Sequence, residues 1–190
     1  MYQAKTFQIE ALEGLSEKQI EEHLKLYNGY VKNVNTLLER LTEDQQQSDK
    51  MGVEISELTR RMGFEFNGMR LHEYYFSQFE KSAGEKDALK KKLVEQFGSF
   101  EDWQDAFNAV AKMRGIGWVL LVEDEINGHC FNVWVSDHEL GHLAGQKVLF
   151  AMDVWEHAFT VDYAPTERGK YIEAFWKNIT WQKAEDRYQA

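Results

Sequence analysis

The chain has 190 residues, 43% hydrophobic and 28% charged, which excludes a disordered or fibrous protein and leaves room for one large domain or two small ones. A formal net charge of -10 argues against a nucleic-acid partner, and an anionic substrate would need a local cluster of positive charge. No apolar run approaches the roughly 20 residues of a membrane span, and residues 1–10 lack the apolar core of a secretory signal, so no membrane association and a cytoplasmic location are expected.

Ser16 opens Ser-Glu-Lys-Gln, the spacing of a capping box, and Ile20, Tyr27, Val31, Val34, Leu38 and Leu41 follow at helical spacing, predicting a long amphipathic helix. The polar residues 42–52 turn the chain. Residues 53–62 and 71–79 repeat the helical period, with an interruption expected at Asn67-Gly68. Together these segments predict a helical hairpin. The small polar residues 82–86 mark a boundary between an N-terminal hairpin domain, 1–82, and a C-terminal domain, 83–190. There, residues 87–96 and 103–114 predict two helices, the second capped near Ser99 and stopped by Gly115 and Gly117. Residues 118–126 and 129–135 are rich in β-formers and flank Asn127-Gly128, a strong two-residue hairpin signal. Residues 148–154 supply a third strand. Residues 166–178 form a helix with Tyr171, Phe175 and Ile179 on one face, and a short helix ends the chain. The expected class is α+β: a long N-terminal helical hairpin, then a three-stranded antiparallel sheet with helices. Cys130 is the lone cysteine, so no intrachain disulfide forms and a buried apolar role is expected.

His23 shares a helix face with Tyr27, Tyr30 and Val34, and His72 with Tyr75, Phe76 and Phe79, so both point inward. One inward histidine is ordinarily a hydrogen-bonded core residue, but facing helices can bring two imidazoles together. Asp153 and His157 stand four apart where the third strand ends, with Trp155 and Glu156 between them. A carboxylate there needs a cation, a donor or a metal, and the pair alone also fits a structural hydrogen bond. Three histidines and one aspartate suit iron or manganese, although zinc accepts the same ligands. A rival pattern lies nearby, because His138-Glu139-Leu140-Gly141-His142 fits the H-E-x-x-H of zinc hydrolases, with Gly145 extending the likeness. That chemistry needs a helix with both histidines on one face. Here the residues follow a strand and include a glycine, and Val148 stands where a third histidine would fall.

Asp153-Val-Trp-Glu-His-Ala-Phe159 resembles the signature D-x-W-E-H-A-[FY] of the iron/manganese superoxide dismutase family. Gly115-Ile-Gly-Trp118 resembles the family's G-S-G-W, Phe97-Gly-Ser-Phe100 its F-G-S-F, and Leu71-His72-Glu-Tyr-Tyr-Phe76 its N-H-x-x-F-W. Phe175-Trp176 and Ile179-Thr-Trp181 resemble its final helix, so the likeness of a divergent member covers nearly the whole chain.

The resemblance implies a superoxide dismutase with one iron or manganese ion per subunit, held between the two domains by His23, His72, Asp153 and His157. His138 falls where the family carries glutamine or histidine beside the solvent at the metal, and Trp155 walls the site. Arg168 matches an arginine near the entrance and is the first candidate for attracting superoxide, ahead of Lys25 and Lys32. Glu156 is expected to reach the partner subunit's His157, which implies a symmetric homodimer. His129 and His142 are expected to be ordinary loop histidines.

The first helix departs from the family pattern. The family follows its ligand histidine with histidine four residues on and a gateway tyrosine eight on, whereas here Tyr27 is four and Tyr30 seven after His23. The gateway role falls to Tyr30 or Tyr27, in a regular helix without a π-bulge. Thr160 replaces a tyrosine of the family's interface. His138 and Ala151 incline the reading towards iron. The alternatives are the zinc hydrolase at His138, Glu139 and His142 and a metal-free relative kept as an interaction module.

Overall fold

The protein is described from a computed structural model covering residues 1–45, 52–84 and 86–190. Helices α1 (Glu17–Gln45) and α2 (Val53–Ser77) form the predicted hairpin. The Ser16 hydroxyl accepts from the Gln19 backbone N–H at 3.1 Å, as a capping residue should. Gln19 does not complete the box, because its side chain is engaged by the chain around His157. The turn expected over residues 42–52 begins later, since α1 continues to Gln45; residues 46–51 of that turn lie outside the described residues.

The interruption expected at Asn67-Gly68 is absent, and α2 runs unbroken through it. Gly68 serves close approach instead. A Cβ there would lie 2.6 Å from Cδ1 of Tyr30, so the missing side chain lets the Tyr30 ring lie against α2.

In the C-terminal half, α3 (Ala88–Phe97) and α4 (Phe100–Ala111) lead into β1 (Gly117–Asp124), β2 (Cys130–Ser136) and β3 (Gln146–Asp153). Helix α4 starts before the expected residue 103 because Ser99, extended at φ -144°, accepts from the Asp102 N–H at 2.9 Å. The strands form an antiparallel sheet in the order β2-β1-β3, with β1 central. Gly117 (φ +135°) opens β1 against the Val135 carbonyl, where a Cβ would collide.

Asn127-Gly128 does not make a two-residue hairpin. The last cross-strand pair is Glu123 with Cys130, so residues 124–129 form the loop, and within it only Gly128 takes positive φ. A type I′ turn needs two such residues. The Asn127 side chain accepts from the His129 N–H instead. Helices α5 (Arg168–Asn178) and α6 (Gln182–Gln189) end the chain, and Ile179 falls just beyond α5 rather than on its face.

One core runs through both halves. Tyr27, Val34, Met69 and Phe76 from the hairpin are continuous with Trp103, Phe107, Trp118, Phe150 and Phe175. Cys130 is buried, as expected. Among the described residues no helix is long and apolar enough to cross a membrane.

Candidate metal centre

Four separate elements deliver four side chains to one point. His23 comes from α1, His72 from α2, Asp153 is the last residue of β3, and His157 sits in the 3-10 turn Glu156–Ala158. One ligand atom from each lies within 4.8 Å of all the others. Asp153 Oδ2 is the hub: His23 Nε2 is 3.0 Å away, His157 Nε2 3.2 Å and His72 Nε2 3.6 Å. His23, His72 and Asp153 are fully buried, whereas the His157 side chain keeps 21% exposure.

Hydrogen bonds orient these atoms. His72 Nδ1 donates to the Gly68 carbonyl at 2.6 Å, one turn back on its own helix, so the bare Nε2 faces the cluster. Among the described residues that Nε2 is buried with no hydrogen-bond partner. Asp153 Oδ1 accepts from the Trp155 N–H at 2.8 Å, which leaves Oδ2 for the cluster, while Tyr171 donates to the Asp153 carbonyl at 2.7 Å.

Burial opposes charge throughout. It pushes the His23 imidazole below the ordinary histidine range and His72 well below it, which disfavours the protonated form of both. Burial also works against an ionised Asp153, but the imidazoles of His157 and His23 more than reverse this and hold its carboxyl well below the carboxylate range. A buried carboxylate beside an imidazole nitrogen that has no hydrogen-bond partner among the described residues is poorly satisfied by itself. A cation coordinated by the three Nε2 atoms and Oδ2 satisfies the carboxylate and the His72 nitrogen, while His23 Nδ1 is also buried without a partner among the described residues. The donor set fits the ion that the sequence motifs imply.

A second layer surrounds this cluster. The Trp118 indole N–H donates to His138 Nδ1 at 2.8 Å, so Nε2 bears the imidazole proton and donates to the Tyr30 hydroxyl, also at 2.8 Å. Burial pushes His138 down to about 4, keeping it neutral near pH 7. Burial, Asp153 and Glu65 push the Tyr30 phenol well above its ordinary value, so it stays protonated. The Trp155 ring stacks on His138 (centroids 5.1 Å) and on His157 (5.5 Å), closing the side between them.

The other expected residues lie further out. Tyr27 is buried but turned elsewhere: its hydroxyl accepts from the Lys5 N–H at 2.8 Å and donates to Glu73 at 3.3 Å. Helix α1 is regular through this segment, as the shorter His23-to-Tyr30 spacing predicts. Arg168 donates to the carbonyls of Met113 and Gly115, both at 2.7 Å, tying down the segment that leads into β1. Lys25 is exposed and paired with Glu22, and Lys32 is exposed. Glu156 is exposed beside the partly open His157. Thr160 is exposed as well.

The zinc-hydrolase pattern is not realised, because residues 138–142 form a turn rather than a helix. His138 points inward, while His142 donates from Nε2 to the His138 carbonyl and accepts at Nδ1 from Gln146. Sequence reasoning missed Trp118 as the group that fixes the His138 tautomer. It also missed two buried glutamines, Gln19 and Gln78, although Gln19 precedes His23 by one helical turn on the same face.

Comparison with known proteins agrees with these motifs. The description of iron/manganese superoxide dismutases, alpha-hairpin domain, matches residues 3–80, and that of the C-terminal domain matches residues 85–187. An Fe superoxide dismutase of Cupriavidus metallidurans is 37% identical over 183 residues, covering 94% of this chain and 91% of that protein. One from Aquifex pyrophilus is 35% identical, covering 94% of this chain and 86% of its own length. The Mn superoxide dismutase 2 of Haloferax volcanii is 33% identical, covering 96% of this chain and 92% of that protein.

Proposed function

The chain belongs to the iron/manganese superoxide dismutase family and converts superoxide to dioxygen and hydrogen peroxide; from that premise we propose that His23, His72, Asp153 and His157 hold its metal ion. The supporting observation is the convergence of three imidazole nitrogens on Asp153 Oδ2, with His72 Nε2 buried and unbonded. Iron or manganese bound there supplies one-electron exchange by alternating between its trivalent and divalent states, which zinc cannot do.

Two superoxide anions and two protons give one dioxygen and one hydrogen peroxide, so the protein must deliver protons as well as electrons. His138 and Tyr30 are the delivery pair. Trp118 fixes the imidazole with its proton on Nε2, and Tyr30 accepts that hydrogen bond, which leaves the phenolic proton free to be offered to peroxide. The gateway role therefore goes to Tyr30, and Tyr27 braces the helix against Glu73 and Lys5. Phe64 packs on both Tyr30 and His138 and, with Trp155, keeps bulk water from the cluster.

Relatives named for iron and for manganese both match. Of the two we favour iron, on His138 and on Ala151 two residues before Asp153. The unit of function is a homodimer in which the exposed Glu156 reaches the partner subunit's His157. Within each subunit the ion lies between a hairpin domain, 1–82, and a C-terminal domain, 83–190.

The test is metal content with superoxide removal after separate loading with iron and manganese. One equivalent per chain is expected, with the iron form faster, and both metal and activity are lost in His72→Ala and Asp153→Asn. Full metal content in those two variants would overturn the ligand assignment.

A further inference from the structure

Two of the four proposed ligands come from the hairpin and two from the second half of the chain, so their spacing depends on what joins the halves. The hydrophobic effect is non-directional and does not by itself fix the register of one half against the other. Hydrogen bonds between the halves, close to the ligands, would fix the spacing.

Two buried glutamines make such bonds. Gln19 lies on α1 one turn before His23 and is 0% exposed. Its Nε2 donates to the carbonyl of His157 itself at 2.7 Å, and its Oε1 accepts from the Val161 N–H at 2.9 Å. Gln78 caps the C-terminus of α2, six residues after His72, and is also 0% exposed. Its Nε2 donates to the Ala151 carbonyl at 2.7 Å, and its Oε1 accepts from the Ala151 N–H at 2.9 Å, two residues before Asp153. Arg187 donates to that same Oε1 at 3.1 Å and fixes which way the amide faces. Each amide thus presents one donor and one acceptor to backbone next to a ligand, as a neighbouring β-strand would.

We propose that Gln19 and Gln78 are positioning residues that hold His157 and Asp153 at metal-binding distance from His23 and His72. Neither touches the cluster itself. Each acts through backbone: Gln19 sets the 3-10 turn against α1, and Gln78 sets the end of β3 against α2. Loss of a partner that orients a ligand typically weakens metal binding about 10- to 100-fold, and that is the effect expected here. The inference rests on the ligand set proposed above.

The experiment compares manganese binding in the parent, Gln19→Met, Gln19→Glu, Gln78→Met and Phe107→Leu. Methionine keeps the length and apolar bulk of glutamine without its hydrogen bonds. The glutamate variant keeps an acceptor for Val161 but turns a second oxygen onto the His157 carbonyl, so it guards against a methionine variant that does not fold. Phe107 packs against Phe150 and Trp176, away from the cluster, and controls for lost stability alone. Manganese should dissociate about 10-fold or more faster from the three glutamine variants, with an altered Mn(II) electron paramagnetic resonance spectrum. Phe107→Leu should keep the parental spectrum and off-rate. A parental spectrum and off-rate in Gln19→Met and Gln19→Glu, or in Gln78→Met, would overturn the proposal, as would equal loss from Phe107→Leu at matched stability. A parent that binds no manganese or iron would instead refute the ligand set.

Discussion

His138 Nε2 lies 2.8 Å from the Tyr30 hydroxyl, and the direction of that hydrogen bond is set from behind by the Trp118 indole N–H on Nδ1. Glutamine offers the same polarity as this tautomer, with an oxygen for Trp118 and an N–H for Tyr30. His138→Gln should therefore keep kcat within about threefold of the parent, whereas His138→Leu, which leaves the Trp118 donor unpaired, should lose about 10- to 100-fold. It should also lose about 1–3 kcal/mol of stability. Steady-state superoxide removal and urea unfolding read the two effects, and equal activity in both variants would refute the relay.

The same histidine predicts how the metal-free protein responds to acid. Burial pushes His138 from 6.5 down to about 4, and His23 and His72 are also lowered. Between those values the unfolded chain binds protons that the folded chain refuses, so stability is intact above about pH 6.5 and falls as pH drops towards 4. His138 alone accounts for up to about 3 kcal/mol of that loss. Urea midpoints of chelator-treated protein at pH 7, 5.5 and 4.5 should decline, and the decline should be shallower in His138→Gln. A flat profile would contradict the assignment of neutral buried histidines.

Gly68→Ala separates packing from helix propensity. Alanine favours a helix interior by about 1 kcal/mol over glycine, yet its Cβ would lie 2.6 Å from the Tyr30 ring. The ring must move, and with it the hydroxyl on His138. Activity should fall about 10-fold with no gain in thermal stability. Higher stability with full activity would show that Tyr30 is not held where it is needed.

Arg168, the first candidate for attracting superoxide, also ties its guanidinium to the Met113 and Gly115 carbonyls. Arg168→Lys keeps the charge and cannot bridge both carbonyls. It should lose about 1–2 kcal/mol of stability while leaving the salt dependence of kcat/KM unchanged. Full stability in Arg168→Lys would contradict the bridging role.

Legibility in the sequence followed locality. The hairpin, the sheet and the inward faces of His23 and His72 come from periodicity within single elements, and the Asp153 to His157 motif is contiguous. Gly68 was misread because a glycine required by a neighbouring helix looks, in one dimension, like a helix breaker. Asn127-Gly128 was misread because the side chain of Asn127 supports a longer loop by accepting from His129. Gln19 was assigned to a capping box on local spacing, while its partners lie 138 and 142 residues away. Periodicity could not separate Tyr30 from Tyr27, since both lie on the buried side of α1; of the two, Tyr30 is the one whose hydroxyl meets His138.

The central claim is the ligand set, and anomalous X-ray diffraction at the iron and manganese absorption edges tests it most directly. The account predicts one peak per chain, bounded by the Nε2 atoms of His23, His72 and His157 and by Oδ2 of Asp153. A peak centred on His138 and His142, or a metal-replete crystal with no density among those four side chains, would contradict it.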